Sequence, residues 1–416
     1  MTLSVTAASK PKRGKTRERV GLALAGGGPV GGIYEVGALI ALDEALSGVD
    51  LHELDIYVGV SSGAFIASNL VNGISTSQMA RIFIQNTSLA HPISPRVFLT
   101  PNISGYLRSL SRLPRALSDS LWQYIRNLPD AGLMESLASL NTIIPTGLFA
   151  NEPLEAFLAE LYSSRGRTND FRELARTLRV VATDLDTGDA VKFGDKDHDH
   201  VPISTAIQAS TALPGLYPPV EVDGRFYLDG ALKRTLHASV ALDEGADLLL
   251  CINPIVPYDA SLAGKDGSSQ RGKLTEGGLP VVLAQTFRAL VHSRMEVGME
   301  KYESAYPDRD ILLLEPDRDD AKMFFTNVFS YSSRLQICQH AYETTRADLR
   351  AHADTLRPIL RRHGIRLNAR ALKNKNRHFS DAVDVPLNVR QDAMRKNRVT
   401  NQLSDTLDKL QAWARS

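Results

Sequence analysis

Short runs of apolar residues alternate with amphipathic helical patterns along most of the first 255 residues. Apolar runs between turn signals are typical of buried strands, whereas apolar residues spaced three and four apart indicate helices. Strands that alternate with helices predict an α/β fold with a largely parallel sheet. The predicted strands are 20–25, 56–60, 179–185, 190–193, 224–229, 248–254 and 311–316, and the predicted helices are 34–46, 62–72, 203–210, 281–302 and 333–360.

Both ends of the chain are basic. Residues 1–19 are polar and lack the apolar core of a secretory signal, so they predict a flexible solvated tail or a contact with anionic lipid headgroups. Residues 366–397 predict a basic linker or mobile tail. A terminal helix would need the main domain or another subunit as its partner, so a homo-oligomer is one of two expectations. Its apolar face would carry Leu403, Leu407, Leu410 and Trp413.

Residues 89–130 differ from their surroundings, because prolines punctuate them and arginines outnumber acidic residues. Two helical patterns with apolar faces lie on either side of Pro114, a residue well placed at a helix N-terminus. One interpretation is a pair of amphipathic helices packed on the core. The other is a cationic flap that covers a functional site and docks on a lipid surface.

Composition narrows the class of protein. The 416 residues carry 48 basic and 47 acidic side chains, so no global field favours nucleic acid as a partner. The two cysteines predict no disulfide framework. No apolar stretch approaches the ~20 residues of a transmembrane helix, so we expect a cytoplasmic or peripheral membrane protein. The alternating Asp and His of 195–200 depart from a calcium loop and predict a solvated loop and no metal.

The first candidate for chemistry is Gly59-x-Ser61-x-Gly63, between a predicted strand and a predicted helix. In this context the motif is typical of a nucleophile elbow, a tight turn that exposes a serine hydroxyl. The two glycines leave room for the backbone to fold back against itself.

A glycine run, Gly26-Gly27-Gly28 followed by Gly31, joins the first predicted strand to the first predicted helix. Such a loop could bind a nucleotide phosphate, but it has neither a P-loop lysine nor the Gly-x-Gly-x-x-Gly spacing. Consecutive glycines also present successive backbone N–H groups to an oxyanion. Next to a candidate serine, an oxyanion hole is favoured over nucleotide binding and over a purely structural turn.

A third motif, Asp229-Gly230-Ala231, ends the predicted strand 224–229. On local grounds the aspartate is either a cap or turn residue or a catalytic carboxylate. The three motifs, in this order, resemble the patatin-like phospholipase family. The segments 182–188, 209–219 and 147–151 also resemble that family's pattern, and together the likeness covers about residues 20–255.

The resemblance implies a three-layer α/β/α fold with a helical C-terminal extension. It implies a catalytic domain over 20–255 that contains the cationic segment 89–130. The helical patterns beyond residue 255 predict a helical completion over 256–364, and the basic composition that follows predicts a tail over 365–416 with the terminal amphipathic helix. The resemblance further implies a serine lipid acyl hydrolase that cleaves fatty-acyl esters of membrane lipids through an acyl-enzyme and needs no cofactor. Ser61 would be the nucleophile, Asp229 its partner in a dyad, and the backbone of Gly26, Gly27 and Gly28 the oxyanion hole.

Two features depart from the family pattern. Val30 stands where the glycine loop commonly has Arg or Lys, and the segment 32–37 is one residue longer than usual. Losing a cation beside an oxyanion hole would weaken charge stabilisation or alter headgroup preference. It would leave the backbone donors in place.

Two alternatives remain at this point. An α/β-hydrolase triad would have its histidine after Asp229, and the chain offers His237, His292 and His340. A non-catalytic lipid-binding protein is the other alternative, and it is motivated by Val30.

Overall fold

The computed structural model describes residues 2–9, 18–85, 96–107, 146–262, 273–326 and 333–383. Most of the predicted cationic segment 89–130 and the predicted terminal helix lie outside these residues. The strands are β1 (Thr2–Thr6), β2 (Val20–Leu24), β3 (Leu46–Ser47), β4 (Ile56–Val60), β5 (Thr177–Asp184), β6 (Ala190–Phe193), β7 (Val220–Val222), β8 (Arg225–Asp229), β9 (Leu248–Ile252), β10 (Asp310–Glu315) and β11 (Arg366–Leu367).

Helices separate most of these strands along the chain. They are α1 (Gly28–Ala45), α2 (Ser62–Val71), α3 (Thr76–Met79), α4 (Arg96–Leu99), α5 (Glu152–Tyr162), α6 (Ile203–Ser210), α7 (Ala238–Asp243), α8 (Lys273–Glu276), α9 (Gly278–Ala305), α10 (Ala321–Phe325), α11 (Arg334–Ala351), α12 (Ala353–Arg362), α13 (Ala369–Lys373) and α14 (Phe379–Ala382). A π-helical turn, Ala80–Ile84, continues α3.

The central sheet has nine strands in the order β1-β10-β9-β2-β4-β5-β8-β7, with β6 also paired to β5. The five inner strands β10, β9, β2, β4 and β5 are parallel, and the pairs β1–β10, β5–β8, β7–β8 and β5–β6 are antiparallel. The largely parallel sheet predicted from the sequence is therefore confirmed.

Helices cover both faces of this sheet. Along β2, Leu22 and Leu24 pack into one apolar cluster, and Ala23 and Ala25 pack into another, because successive side chains of a strand point to opposite faces. The first cluster includes apolar residues of α1, α2 and α11, and the second includes those of α7 and α9. The result is the predicted three-layer α/β/α arrangement with a helical C-terminal region.

Two expectations for the ends of the chain are wrong. Residues Thr2–Thr6 form the edge strand β1 instead of belonging to a flexible tail, and Leu3 is buried there. Residues 366–383 fold back on the domain instead of forming a linker: β11 pairs with β3, and Leu372 and Phe379 are buried. In both segments a few apolar residues reach the core, and a high content of polar and basic residues obscures them in the sequence.

The predicted helix 333–360 is two helices, with His352 at the junction of α11 and α12. The His352 ring is 3.0 Å from the Asp348 carbonyl oxygen, in the last turn of α11. Helix α1 begins six residues earlier than predicted, at Gly28, because Pro29 fits the first turn of a helix where no amide donor is needed.

Candidate active site

Ser61 lies in a sharp turn between β4 and α2, with a φ of +52°. Its side chain is buried, and the residue is the N-cap of α2. A Cβ atom on Gly63 would lie 2.4 Å from the Leu24 carbonyl oxygen, and one on Gly59 would lie 2.4 Å from the Cα atom of Ala64. Only glycine fits at these two positions, so the motif's spacing has a steric cause.

Ser210, the last residue of α6, supports this turn from the neighbouring layer. Its hydroxyl accepts a hydrogen bond from the Ser61 backbone N–H (2.8 Å) and donates one to the Val181 carbonyl of β5 (2.6 Å). Ser210 therefore fixes the Ser61 backbone against the sheet. Sequence reasoning placed Ser210 in a family-like block and gave it no role, because the contact joins residues 149 positions apart.

Asp229 is the last residue of β8. This strand pairs with β5, and β5 pairs with β4, the strand that precedes Ser61. Val60 pairs with Val181 of β5, and the next residue of β5, Ala182, pairs with Asp229. Ser61, Ala182 and Asp229 therefore lie side by side across three adjacent strands. The sheet order β4-β5-β8 brings together two residues that are far apart in the sequence.

Asp229 is 3% exposed, and its carboxylate is stabilised by a backbone amide and by the neighbouring Ser61 side chain. Its Oδ1 atom accepts from the Ala231 N–H at 2.8 Å, and the Ser61 side chain is near enough to lower the pKa of the carboxyl. Burial raises the pKa of this carboxyl to about 6, against the smaller opposing effects of the Ala231 amide and the Ser61 side chain. Asp229 is therefore both near the serine and more basic than an ordinary aspartate.

The backbone of Asp229 is fixed as well. Its N–H donates to the Ala212 carbonyl (3.0 Å), and its carbonyl accepts from the Thr183 hydroxyl (3.1 Å). Gly230, which follows it, has no room for a side chain, since a Cβ atom there would be 2.3 Å from the Val181 carbonyl oxygen.

The glycine loop converges on the same point. A Cβ atom on Gly26 would lie 3.2 Å from the Ser61 Cβ and 3.0 Å from the Ala231 Cβ. Gly27 is the N-cap of α1, and Gly28 begins this helix with a φ of +60°. The first N–H groups of a helix have no acceptor within it, so amides of Gly27 and Gly28 can donate elsewhere.

The Gly26 amide differs from the other two. It donates to the Thr235 carbonyl at 3.1 Å and is therefore not free to bind an oxyanion, contrary to the sequence-based expectation. Gly31 has a structural role in the same loop, because its N–H donates to the Gly27 carbonyl (3.0 Å). Val30, the departure from the family pattern, is 4% exposed and packs in the apolar cluster of α1.

The three candidate histidines have other partners. The ring of His340 is 2.6 Å from Asp320, and His292 forms ion pairs with Glu296 and Glu315. His237 is buried, its Nε2 atom has no hydrogen-bond partner among the described residues, and its ring lies near the backbone of Gly230 and Arg234. Burial, together with the charges of Arg234 and Lys233, lowers the pKa of His237 to about 4 and keeps the ring neutral.

Within the described ranges, no group of three or more His, Cys, Asp or Glu side chains is arranged to hold a metal ion. In the 195–200 loop, the rings of His198 and His200 instead contact Asp195 (3.1 Å) and Asp223 (2.8 Å). The same part of the chain contains no helix that is both long and apolar enough to span a bilayer.

A buried serine at a strand–helix turn, beside a carboxylate and a glycine loop, defines a candidate hydrolase site. The sequence model of the patatin-like phospholipase family matches residues 22–242, more than half of the chain and a range that contains all of these groups. The chain belongs to this family. Membership supports a lipid-hydrolysing enzyme.

Individual relatives are more distant. The chain is 38% identical over 74 residues to uncharacterized NTE family proteins of Mycobacterium tuberculosis and Mycobacterium bovis. The matched segment is 18% of this chain and 19% of the length of those relatives.

Among solved structures, VipD from Legionella pneumophila aligns with 96% of this chain and 88% of its own, at 14% identity and a TM-score of 0.31. ExoU of Pseudomonas aeruginosa, in complex with SpcU, aligns with 94% of this chain and 74% of its own, at 16% identity and a TM-score of 0.27. Both TM-scores are too low to bear on function.

Proposed function

We propose that the protein is a serine lipid acyl hydrolase with Ser61 as the nucleophile and Asp229 as its base. The observation that carries the proposal is that the buried Asp229 carboxylate lies beside the buried Ser61 side chain, which acts on the pKa of this carboxyl, in a chain of the patatin-like phospholipase family. A serine hydroxyl is a weak nucleophile until a base within hydrogen-bond reach accepts its proton. Here that base is an aspartate.

The reaction has two steps. In the first, the Ser61 Oγ atom attacks the ester carbonyl, its proton passes to Asp229, and the C–O bond to the glycerol oxygen breaks. The alcohol product leaves with that proton, and the fatty acid stays bound to Ser61 as an ester. In the second step, Asp229 accepts a proton from water, and the hydroxide adds to the acyl-enzyme. The C–O bond to Ser61 then breaks, Asp229 returns the proton to the Ser61 oxygen, and the fatty acid is released.

The raised pKa of Asp229 makes an aspartate suitable for this role. An ordinary aspartate near pKa 4 is a poor base at neutral pH, whereas a pKa of about 6 lies close to the working pH while leaving the group ionised. The hydrophobic layers on both faces of the sheet exclude water and cause this shift. Desolvation is therefore part of the mechanism.

Charge that develops on the carbonyl oxygen needs preorganised donors, each worth roughly 10²–10³ in rate. The amides of Gly27 and Gly28 support this role, because they begin α1 beside the loop residue that adjoins Ser61. The positive end of the α1 dipole adds to their effect. Our proposal thus assigns two amides of the loop to the oxyanion hole and gives Gly26 a structural role.

A Ser-Asp-His triad is the alternative mechanism, and single replacements distinguish the two. We expect His292→Gln and His340→Gln to change kcat/KM less than about threefold, since their rings contact acidic residues elsewhere. His237→Asn should cost less than about tenfold, because it disturbs only the support of the Gly230 backbone. Ester hydrolysis rates of the purified variants give the answer. A loss of about 10³-fold or more in any one of them would favour the triad.

Val30 motivated a non-catalytic alternative, and its burial removes that motive. The side chain at position 30 packs in the core, so a valine there contributes to packing, and it removes none of the backbone donors.

We also retain the predictions that the basic ends and the 89–130 segment contact a membrane surface, and that the chain forms a homo-oligomer. Most of these residues lie outside the described ranges.

A defined panel of lipids tests the proposed activity directly. We expect the full chain to release free fatty acid from phospholipids, lysophospholipids or acylglycerols at a rate at least 10³-fold above that without protein, a modest enhancement for an enzyme. Mass spectrometry of the products identifies the lipid class and the ester cleaved. If no member of the panel yields fatty acid, lipid acyl hydrolysis is contradicted.

A further inference from the structure

The candidate site lies at the edge of the sheet formed by the carboxyl ends of the parallel strands. Helix α9 extends beyond these strand ends. Met295 contacts Asn253, immediately after β9, whereas Tyr306, just after α9, donates to Asp243 near the opposite edge. Strands β2, β4 and β9 are parallel, so Ser61 lies at the same edge as Asn253. At 1.5 Å per residue, the segment from Met295 back to Gly278 spans about 25 Å beyond that edge.

The inward face of this projecting segment has partners within the domain. Gln285 forms two hydrogen bonds with the Tyr258 backbone (3.0 and 2.7 Å), and the Arg288 guanidinium lies 4.8 Å from the centre of the Phe324 ring. His292 is buried and paired with Glu296 and Glu315. These contacts fix which side of α9 faces outward.

The outward face is apolar, although it is exposed. Leu279, Leu283 and Leu290 are 69%, 57% and 60% exposed, and Val282 and Val297 are 41% and 49% exposed. Their spacing of three, four and seven residues places them on one side of the helix. A monomeric soluble protein rarely exposes this many large apolar side chains on one side of a helix without a binding function. We call these five residues the apolar face of α9.

Charge along α9 is uneven in a way that points to an anionic partner. Residues 278–295 contain Arg288 and Arg294 and no acidic residue, whereas Glu296, Glu300 and Glu303 all lie in the remainder of the helix. The acid-free part is the part that projects beyond the sheet on the side of Ser61. Arg288 lies on the inward face, so an anionic surface would meet little repulsion along the outward face and attraction from Arg294 near its end.

The apolar face ends in an open cavity of about 700 Å³ with cationic walls. Val297 and Arg294 line it from α9, and Lys233 and Arg234 line it from the turn that follows Asp229. Arg294 donates to the Leu232 carbonyl (3.2 Å), and the Lys233 ammonium forms an ion pair with Asp189 (3.2 Å). The positive charge of Lys233 and Arg234 also acts on the buried His237. The apolar face thus leads to a group of cations next to the Asp229 turn.

We propose that the apolar face of α9 and the cationic cavity beside it form the surface with which the protein docks on an anionic phospholipid bilayer. The leucines and valines insert at the acyl boundary, and the cations contact the headgroup phosphates. Docking in this orientation presents the carboxyl edge of the sheet, and with it Ser61, to the lipid. The inference rests on the proposed function only in that lipid is the substrate.

Vesicle binding tests this surface. Full-length protein is sedimented with phosphatidylcholine vesicles, with and without phosphatidylglycerol, using the Ser61→Ala chain so that no lipid is consumed. We expect binding to vesicles that contain phosphatidylglycerol, and weaker binding as salt increases. Leu283→Glu should lower the affinity by about tenfold or more, because it puts a charge where an exposed leucine would otherwise insert into the bilayer. Arg234→Glu should weaken binding to phosphatidylglycerol vesicles by a similar factor.

Two further variants make the result decisive. Leu279→Glu replaces the most exposed side chain of the apolar face and should act like Leu283→Glu without affecting folding. Ser304→Glu adds the same charge to an exposed position of α9 at the opposite edge of the sheet and should bind like the parent. Equal binding by all variants, or no binding by the parent, would overturn the proposal. A change in molar mass with Leu283→Glu would assign the face to a second copy instead.

Failure of docking and failure of the proposed activity are separable. Hydrolysis of a water-soluble short-chain ester by the chain with Ser61 intact measures the chemistry without a membrane. If this hydrolysis is present while vesicle binding is absent, only the docking surface is wrong. If vesicle binding is present while no ester is cleaved, only the proposed function is wrong.

Discussion

Replacing Ser61 with alanine should lower ester hydrolysis by about 10³-fold or more, because the change removes the atom that forms the acyl-enzyme. The backbone should stay intact. The Ser61 N–H that donates to Ser210 is a main-chain group, and Gly59 and Gly63 still permit the turn. Initial rates with a soluble ester and with vesicles, compared at equal protein concentration, measure the loss.

The adjacent serine provides a matched control. Ser62 begins α2, and its hydroxyl oxygen is buried with no hydrogen-bond partner in the described part of the chain. Ser62→Ala therefore removes the same atom one residue further along and should keep the rate within about threefold. If Ser61→Ala and Ser62→Ala have equal rates, Ser61 is not the nucleophile.

Replacing Asp229 with asparagine should lower kcat/KM by about 10²–10⁴-fold, the usual contribution of a general base. Asparagine has the same shape, and its Oδ1 atom can still accept from the Ala231 N–H. In the unaltered protein, the base acts only when ionised, so kcat/KM should fall about tenfold per pH unit below pH 6 and level off above it. A profile from pH 4 to pH 9 measures both effects, and in the variant the limb near pH 6 should disappear.

The same substitution should increase stability, which separates a lost base from a damaged fold. The folded-state pKa of Asp229 lies above the ordinary aspartate value of 3.8, so the folded state prefers the protonated carboxyl. Ionisation therefore costs stability as pH rises from about 4 to 6, and the full cost of about 3 kcal/mol applies above pH 6. Asp229→Asn avoids this cost.

Thermal unfolding at two pH values measures the effect on stability. At pH 8 we expect Asp229→Asn to unfold at a higher temperature than the parent, and at pH 4 the difference should largely disappear. Asp189→Asn changes an exposed aspartate near the site and should alter neither the rate nor the pH dependence of unfolding. A variant that loses both activity and stability at pH 8 would indicate a structural role for Asp229 instead.

The sequence predicted the sheet and the three motifs because each is a local pattern. The buried parallel strands are continuous apolar runs, and Gly59 and Gly63 mark a turn that no larger residue fits. Asp229 could be linked to Ser61 only through a family resemblance, since 168 positions separate them (229 − 61). The structure supplies the physical reason, which is that β5 lies between the strands that end at these residues.

The features that sequence reasoning missed depend on contacts distant along the chain. β1 joins the sheet by pairing with β10, the outermost parallel strand. A strand of only five residues gives a weak pattern in the sequence. The bond that removes the Gly26 amide from the oxyanion hole comes from Thr235, and Ser210 supports Ser61 from another layer. The apolar face of α9 is visible in the sequence as helical periodicity, but only the fold shows that this face points outward.

Covalent labelling tests the central claim most directly. A fluorophosphonate reacts with an activated serine, so the intact protein should gain the mass of one adduct at pH 8, and peptide mapping should place the adduct on Ser61. We expect Ser62→Ala to label like the parent, Asp229→Asn to label at least about 10²-fold more slowly, and Ser61→Ala not to label. An adduct on another residue, or none on the folded parent protein, would contradict Ser61 as the nucleophile of this site.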